Sequence, residues 1–327
     1  MCFDLTNRRT KHMNHLKFYI FTALLALLSL TSANAQIYIN EIYFNPAGTD
    51  NPNEYIELRG TPGLTVGSGT YLLFLEGDNP TTPSTTAGAR PGDIGGIFDL
   101  SGKAFGSNGY MVMRQFGSPY SVNSNASSYT ATSTSWGGLG FNTSATAAGD
   151  IENISFTALV VTIGGGAAPV WGSQLDVNND GLLELNSGWT ILDSIGVGDT
   201  GTNDRLYGAV NFSGAASGTV TSNGGLLQYL NFNEIEYLAR VADSTGNTLA
   251  DWAVADVGFT TPATVVDSIV NGPDATSGVQ ESWNLAPGVR ITDTLGSTNP
   301  VPEPSSAALL GFGTLALLGL RRISRKS

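Results

Sequence analysis

The chain has 327 residues, with 27 Asp and Glu against 15 Lys and Arg, two histidines and one cysteine. His12, His15 and Cys2 all precede residue 36, which excludes disulfides, Cys or His zinc sites, Cys-His nucleophiles and Ser-His-Asp triads from everything that follows. Residues 36–304 keep 7 basic against 26 acidic residues, a net −19; such a surface repels phosphate backbones, so no nucleic-acid partner is expected, while divalent cations are attracted.

Lys17 is followed by an apolar run from Phe18 to Leu30 and then by Ala33-Asn34-Ala35, the small-x-small pattern of a signal-peptidase site. Residues 1–35 are expected to be a signal peptide with the mature chain starting at Gln36, and Met13 serves equally well as the initiator. From Gln36 to Pro300 the chain is rich in Gly, Ser, Thr and Asn and shows no helical periodicity. An all-β fold of short strands and turns is expected, long enough to bury a core without disulfides.

The first mature stretch, INEIYFNPAGTDNPNEYIELRG, presents two β-type runs around an Asn/Pro/Gly/Asp loop. In the second run Ile56 and Leu58 point one way and Tyr55, Glu57 and Arg59 the other, the alternation of a half-buried strand. YLLFLEG follows as a uniformly apolar strand suited to burial on both faces.

These segments resemble the opening of a lamin tail domain in its exported bacterial form. The resemblance resumes at GWTILDSIGVGD (residues 188–199), where Asp-Ser interrupts an apolar run, and again at YLARVADSTGNTLADWAVADV (residues 237–257). It implies an immunoglobulin-like β-sandwich over residues 36–200 with long loops and a β-rich extension over 201–299, part of the same domain or separate. Gly117 to Gly149 departs from a compact sandwich and reads as a Ser/Thr/Gly-rich insertion. Sequons begin at Asn125, Asn142, Asn153 and Asn211.

DVNNDGLLE is the sharpest local motif. Asp176, Asn178 and Asp180 fall at positions 1, 3 and 5 of a calcium loop and Gly181 at position 6, where a tight turn is needed. Leu182 would offer its carbonyl at position 7 and Glu184 a carboxylate at position 9. Position 12 is Ser187, so the bidentate glutamate of an EF-hand is missing. Structural calcium, the one candidate cofactor, and a plain Asx-rich turn both satisfy the pattern.

Glu41, Glu54 and Glu57 lie close in sequence and could supply the carboxylate pair of a glycosidase. Surface strands commonly carry such charges, however, and the resembling family is not known for hydrolysis, so no enzyme is expected. Of the five tryptophans, Trp189 and Trp252 sit in strand-like contexts suited to core packing. Trp136, in the Gly/Ser-rich tract, is the candidate for stacking on a sugar.

The chain ends with Pro302-Glu303-Pro304, an apolar run from Ala307 to Leu320, and Arg321, Arg322, Arg325 and Lys326. A single transmembrane helix is expected, with its basic end in the cytoplasm. The span is short: even counted from Ser305, its sixteen residues at ~1.5 Å reach about 24 Å of a ~30 Å hydrocarbon layer. Pro-Glu-Pro, span and basic cluster (residues 300–327) resemble a PEP-CTERM sorting signal. That resemblance implies recognition by an exosortase, an inner-membrane intermediate, and delivery to the cell surface or extracellular matrix of a Gram-negative bacterium that makes exopolysaccharide. The expectation is therefore an exported, non-enzymatic surface or matrix protein with a structural or adhesive role, its partners being signal peptidase, an exosortase and extracellular polysaccharide. The alternative is a carbohydrate-binding surface module, and the third reading a carboxylate-based hydrolase.

Overall fold

The computed structural model describes residues 36–45, 52–78, 90–130, 155–198, 203–215, 220–230, 235–260, 264–271 and 294–299, with Ile151, Asn153, Ser217 and Gly218. The strands are β1 (Tyr38–Tyr43), β2 (Tyr55–Arg59), β3 (Thr70–Glu76), β4 (Ile94–Asp99), β5 (Tyr110–Arg114), β6 (Ser127–Thr130), β7 (Phe156–Thr162), β8 (Thr190–Gly198), β9 (Asp204–Leu206), β10 (Val210–Ser213), β11 (Val220–Ser222), β12 (Leu226–Tyr229), β13 (Tyr237–Arg240), β14 (Trp252–Thr260) and β15 (Thr264–Asn271). They form a seven-stranded sheet in the order β15-β14-β13-β1-β2-β5-β6, a six-stranded sheet β12-β10-β8-β7-β3-β4 and a β11-β9 pair. Two short 3-10 turns, Val241–Asp243 and Leu249–Asp251, lie within the described residues.

One core lies between the two large sheets. Ile39, Ile42, Ile56, Leu58, Met111 and Leu238 of the first cluster with Leu72, Phe74, Phe156, Val160, Val197 and Phe212 of the second. A register shift between Ile39 and Glu41 against β2 makes this possible. Strict alternation would put Ile39 and Ile42 on opposite faces; the bulge turns both inward and leaves Glu41 and Tyr43 on the outer face. That outer face is covered as well, because Tyr43, Tyr55, Val112, Tyr120, Tyr237 and Leu295 form a second buried cluster. The half-buried β2 expected from its alternation is thus buried on both faces, and Glu57 is an interior residue.

Asp193 of β8 and Arg240 of β13 tie the two large sheets together. Arg240 donates from Nη2 to both carboxylate oxygens of Asp193 at 2.9 Å, from Nε to the Ile39 carbonyl at 2.9 Å and from Nη1 to the Gly246 carbonyl at 2.7 Å. The Ile39 N–H donates to Asp193 Oδ2 at 2.8 Å, and the Trp252 ring lies 4.4 Å from the guanidinium carbon. Each nitrogen of this buried guanidinium thereby donates to an oxygen, and its face lies on an aromatic ring.

The all-β expectation matches the described residues, but the immunoglobulin-like sandwich is overturned. Sheets of that fold are antiparallel, whereas β5–β6, β8–β10, β10–β12 and β9–β11 are parallel. Between β8 and β12 the chain winds in a solenoid-like manner. It advances from Ile195 to Val210 to Leu226, 15 and then 16 residues per winding, with β8, β10 and β12 stacking on one side and β9 and β11 on the other. Asn211, fully buried, holds the corner: its Oδ1 accepts from Gly208 N at 2.9 Å and its Nδ2 donates to the Gly208 carbonyl at 2.7 Å, Ser222 Oγ at 2.9 Å and the Leu226 carbonyl at 3.0 Å. The sequon at Asn211 is therefore closed to glycosylation in the folded chain. A Cβ at Gly196 would stand 2.1 Å from Asn211 Oδ1, so only glycine admits this amide.

Within the expected insertion of residues 117–149, Ser127–Thr130 form β6, a parallel edge on β5. Residues 131–150 lie outside the described residues, as do the signal peptide and the expected C-terminal helix. No helix among the described residues is long and apolar enough to cross a membrane.

Candidate metal centre, buried carboxylates and sorting segment

The acidic loop between β7 and β8 is shaped by two left-handed residues, Asn179 (φ 57°) and Gly181 (φ 84°). They curl the backbone so that Asp180 N donates to Asp176 Oδ1 at 2.9 Å and Gly181 N to Asp176 Oδ2 at 3.0 Å. Leu182 N donates to Asp180 Oδ1 at 2.9 Å, and Val177 N to Glu184 Oε2 at 2.7 Å. Asp176, Asp180 and Glu184 each bring a carboxylate oxygen within 4.8 Å of the others. The Asn178 amide is turned toward Asp180. Its Oδ1 accepts from Asp180 N at 3.0 Å and its Nδ2 faces Asp180 Oδ2 at 3.1 Å.

Asp176 is fully buried and has further partners that the motif did not announce. Tyr207 donates its hydroxyl at 2.8 Å and Arg205 Nη1 stands 3.8 Å away, both on Asp176 Oδ2. Burial, and then the Asp176 carboxylate, push the Tyr207 hydroxyl far above its ordinary range, so it stays a donor. The oxygen-only donor set suits a hard cation such as calcium, with Asp180 and Glu184 exposed and Asp176 fixed below them.

Two of the three acids considered for a hydrolytic pair form a second acidic constellation, in the interior rather than on a surface strand. Glu41 and Glu57 are direct cross-strand partners, both fully buried. Glu41 accepts from the hydroxyls of Tyr55 and Tyr237 and, at 3.5 Å, from Thr294 Oγ1. Glu57 accepts from Asn40 Nδ2 at 2.7 Å and from the Gly296 N–H. Burial raises both carboxyls: Glu41 is pushed up to about 8 and Glu57 well above the carboxylate range, each raised further by a neighbouring acid. Next to them Asp243, at a left-handed φ of 58°, accepts from the Tyr110 hydroxyl and, at 3.1 Å, from Asn299 N.

Glu54, the third acid of the expected hydrolytic set, is buried elsewhere, accepting from Gln115 Nε2 at 2.7 Å. None of the three faces solvent in this structure. Trp189 and Trp252 are buried as expected, at 7% and 0% exposure; Trp136 lies outside the described residues.

Asn299, only 2% exposed, is the last described residue, and the Pro-Glu-Pro motif starts three positions later. Residues 300–325 match the PEP-CTERM protein-sorting motif. The match takes in Pro302, Glu303, Pro304, Arg321 and Arg322, so the chain carries the signal of an exosortase export route to the cell surface. No curated protein and no solved structure matches the chain. The lamin-tail resemblance of the strands gains nothing from these comparisons. Ala33 and Ala35 lie outside the described residues, and Gln36, which is exposed, is the first described one.

Proposed function

We propose that this protein is a non-enzymatic component of the cell surface or extracellular matrix, cut by signal peptidase, held briefly in the inner membrane and released or attached outside after exosortase processing. The observation that carries the reading is the sorting motif over residues 300–325. A disulfide-free body whose acids Glu41, Glu54 and Glu57 are spent on internal hydrogen bonds suits a structural or adhesive role. Mass spectrometry of the native protein's termini tests it. A mature start at Gln36 and loss of the residues beyond Pro-Glu-Pro are expected; a native chain that keeps Arg321 and Arg322 would overturn the processing route.

Calcium at the acidic loop is the second reading, favoured by the convergence of Asp176, Asp180 and Glu184. Asn178 would add its oxygen after rotation of its amide, and Leu182 its carbonyl. The ion would stiffen the loop rather than take part in chemistry. Binding of sugar through Trp136, or of extracellular polysaccharide by any other face, has no support among the described residues.

A further inference from the structure

Thr294–Asn299 precedes the sorting motif directly, yet it is built into the body. Leu295, 1% exposed, is inserted in the tyrosine cluster of the outer sheet face. Asn123 N donates to the Leu295 carbonyl at 3.0 Å and Asn123 Nδ2 to Ser297 Oγ at 2.8 Å. Asn108 Nδ2 donates to the Gly296 carbonyl at 2.7 Å, and the Tyr110 and Thr298 hydroxyls lie 3.2 Å apart. Asn299 donates to Asp243 from its backbone and to the Asn40 carbonyl, at 3.3 Å, from Nδ2. Gly296 (φ 78°) runs so close beneath the β5–β6 connection that a Cβ there would stand 2.6 Å from Ala126 Cβ. Six consecutive residues are thus fitted to a seat made by β1, β2, β13 and the loop before β6.

That seat limits where the motif can go. Three residue-to-residue steps lead from Asn299 to Pro302, and at ~3.6 Å per step they span at most about 11 Å. While the segment is docked, Pro302 stays within that distance of the surface around Asn40 and Asp243. A membrane-embedded enzyme that encloses an extended Pro-Glu-Pro would then collide with the folded body. Freeing residues 294–299 adds at most about 22 Å of reach by the same measure.

We propose that Thr294–Asn299 is a releasable strap that must leave its seat on the sheet before the sorting motif can be processed. The proposal rests on the sorting reading of residues 300–325. Leu295 is the strap's one apolar residue in the cluster. The strap's other contacts are hydrogen bonds to side chains and carbonyls that water can replace. Chain reach holds the motif near the folded body while the strap is docked, and release of the strap lengthens that reach.

The test uses the full chain in cells that possess the sorting machinery. Residues 36–327 contain no cysteine, so Asn123→Cys with Ser297→Cys introduces a single pair able to oxidise after export and lock the strap. The locked protein should accumulate in the inner membrane with its tail attached, at least tenfold over the parent, while either single variant is processed normally. Inserting six Gly/Ser residues between Asn299 and Pro300 in the locked chain should restore processing, which separates lost reach from misfolding. In the chain without cysteines Leu295→Ser should lose its tail at least twofold faster in a pulse-chase. A verified crosslink that leaves tail removal unchanged overturns the strap, as does Leu295→Ser processed no faster than the parent. The sorting reading fails by a different result: normal processing when Pro302, Glu303 and Pro304 are all changed to Ala.

Discussion

Asp193 and Arg240, 47 residues apart, meet in the interior with one guanidinium nitrogen 2.9 Å from both carboxylate oxygens. The pair explains why Asp-Ser interrupts the apolar run of β8: the acid is the anchor for a cation delivered from the facing sheet. Burial raises the Asp193 carboxyl and Arg240 pulls it back down. Removing one partner leaves the other charge buried and unpaired. Arg240→Met should therefore cost about 3–5 kcal/mol of unfolding free energy. The double variant Asp193→Asn, Arg240→Met should lose clearly less than the two single losses added together. Urea melts of the four proteins check this; a single-variant loss below about 1 kcal/mol would make the pair dispensable.

The Glu41 carboxyl, pushed up to about 8 from an ordinary 4.5, sets a pH dependence opposite to that of a salt-bridged acid. Below pH 4.5 the folded and unfolded chains both hold the proton and the group contributes no difference. Between 4.5 and about 8 the folded chain keeps a proton that the unfolded chain has released, so stability falls as pH rises, by up to ~1.4 kcal/mol per unit for one proton. Above about 8 the loss levels off. Glu41→Gln removes the titration, so its stability relative to the parent should grow from pH 5 to pH 8. Parallel stability curves for the two proteins over that range would show that Glu41 does not hold its proton.

Gly196 faces Asn211 across the solenoid-like winding with no room for a methyl group, the Cβ position lying 2.1 Å from Oδ1. Gly196→Ala should cost about 1–3 kcal/mol, because the amide must give up its bonds to Gly208, Ser222 and Leu226 or the backbone must shift. Asn211→Ala should cost a comparable amount, and the double variant little more than either alone. Thermal melts showing full additivity would mean that the two sites do not share this contact.

Local pattern carried part of this structure. The Ile56 and Leu58 alternation fixed the inward face of β2, and the glycine of DVNNDG marked the left-handed turn at Gly181. What escaped depends on long-range packing. Glu57 looks like a surface charge until Gly296, 239 residues away, covers it. The winding of β8, β10 and β12 is equally hidden, because IGVG, VNFS and LLQY share no more than apolar residues at corresponding positions. Apolar alternation also reads the same for parallel and antiparallel neighbours, so nothing in the pattern opposes the antiparallel sandwich that the lamin-tail resemblance implies.

The acidic loop offers the sharpest ligand test, since its carboxylates differ in what else they do. Asp176 is buried and holds the turn through Gly181 N and Tyr207, so changing it would damage the fold whether or not an ion binds. Asp180 and Glu184 are exposed, and their oxygens complete the cluster. If calcium binds the folded chain alone, a concentration of 100 times its dissociation constant should stabilise the protein by about 2.7 kcal/mol. The melting temperature should rise by several degrees between chelator and millimolar calcium. Glu184→Gln should abolish most of that rise while leaving the melting temperature in chelator nearly unchanged, because an exposed side chain away from the core contributes little by itself, within about 0.5 kcal/mol. Arg205, 3.8 Å from Asp176, already offsets one of the three charges. If its cation suffices, calcium will leave the parent's melting curve where chelator puts it and calorimetry will record no heat. The loop is then a turn held by its own Asp and Asn side chains.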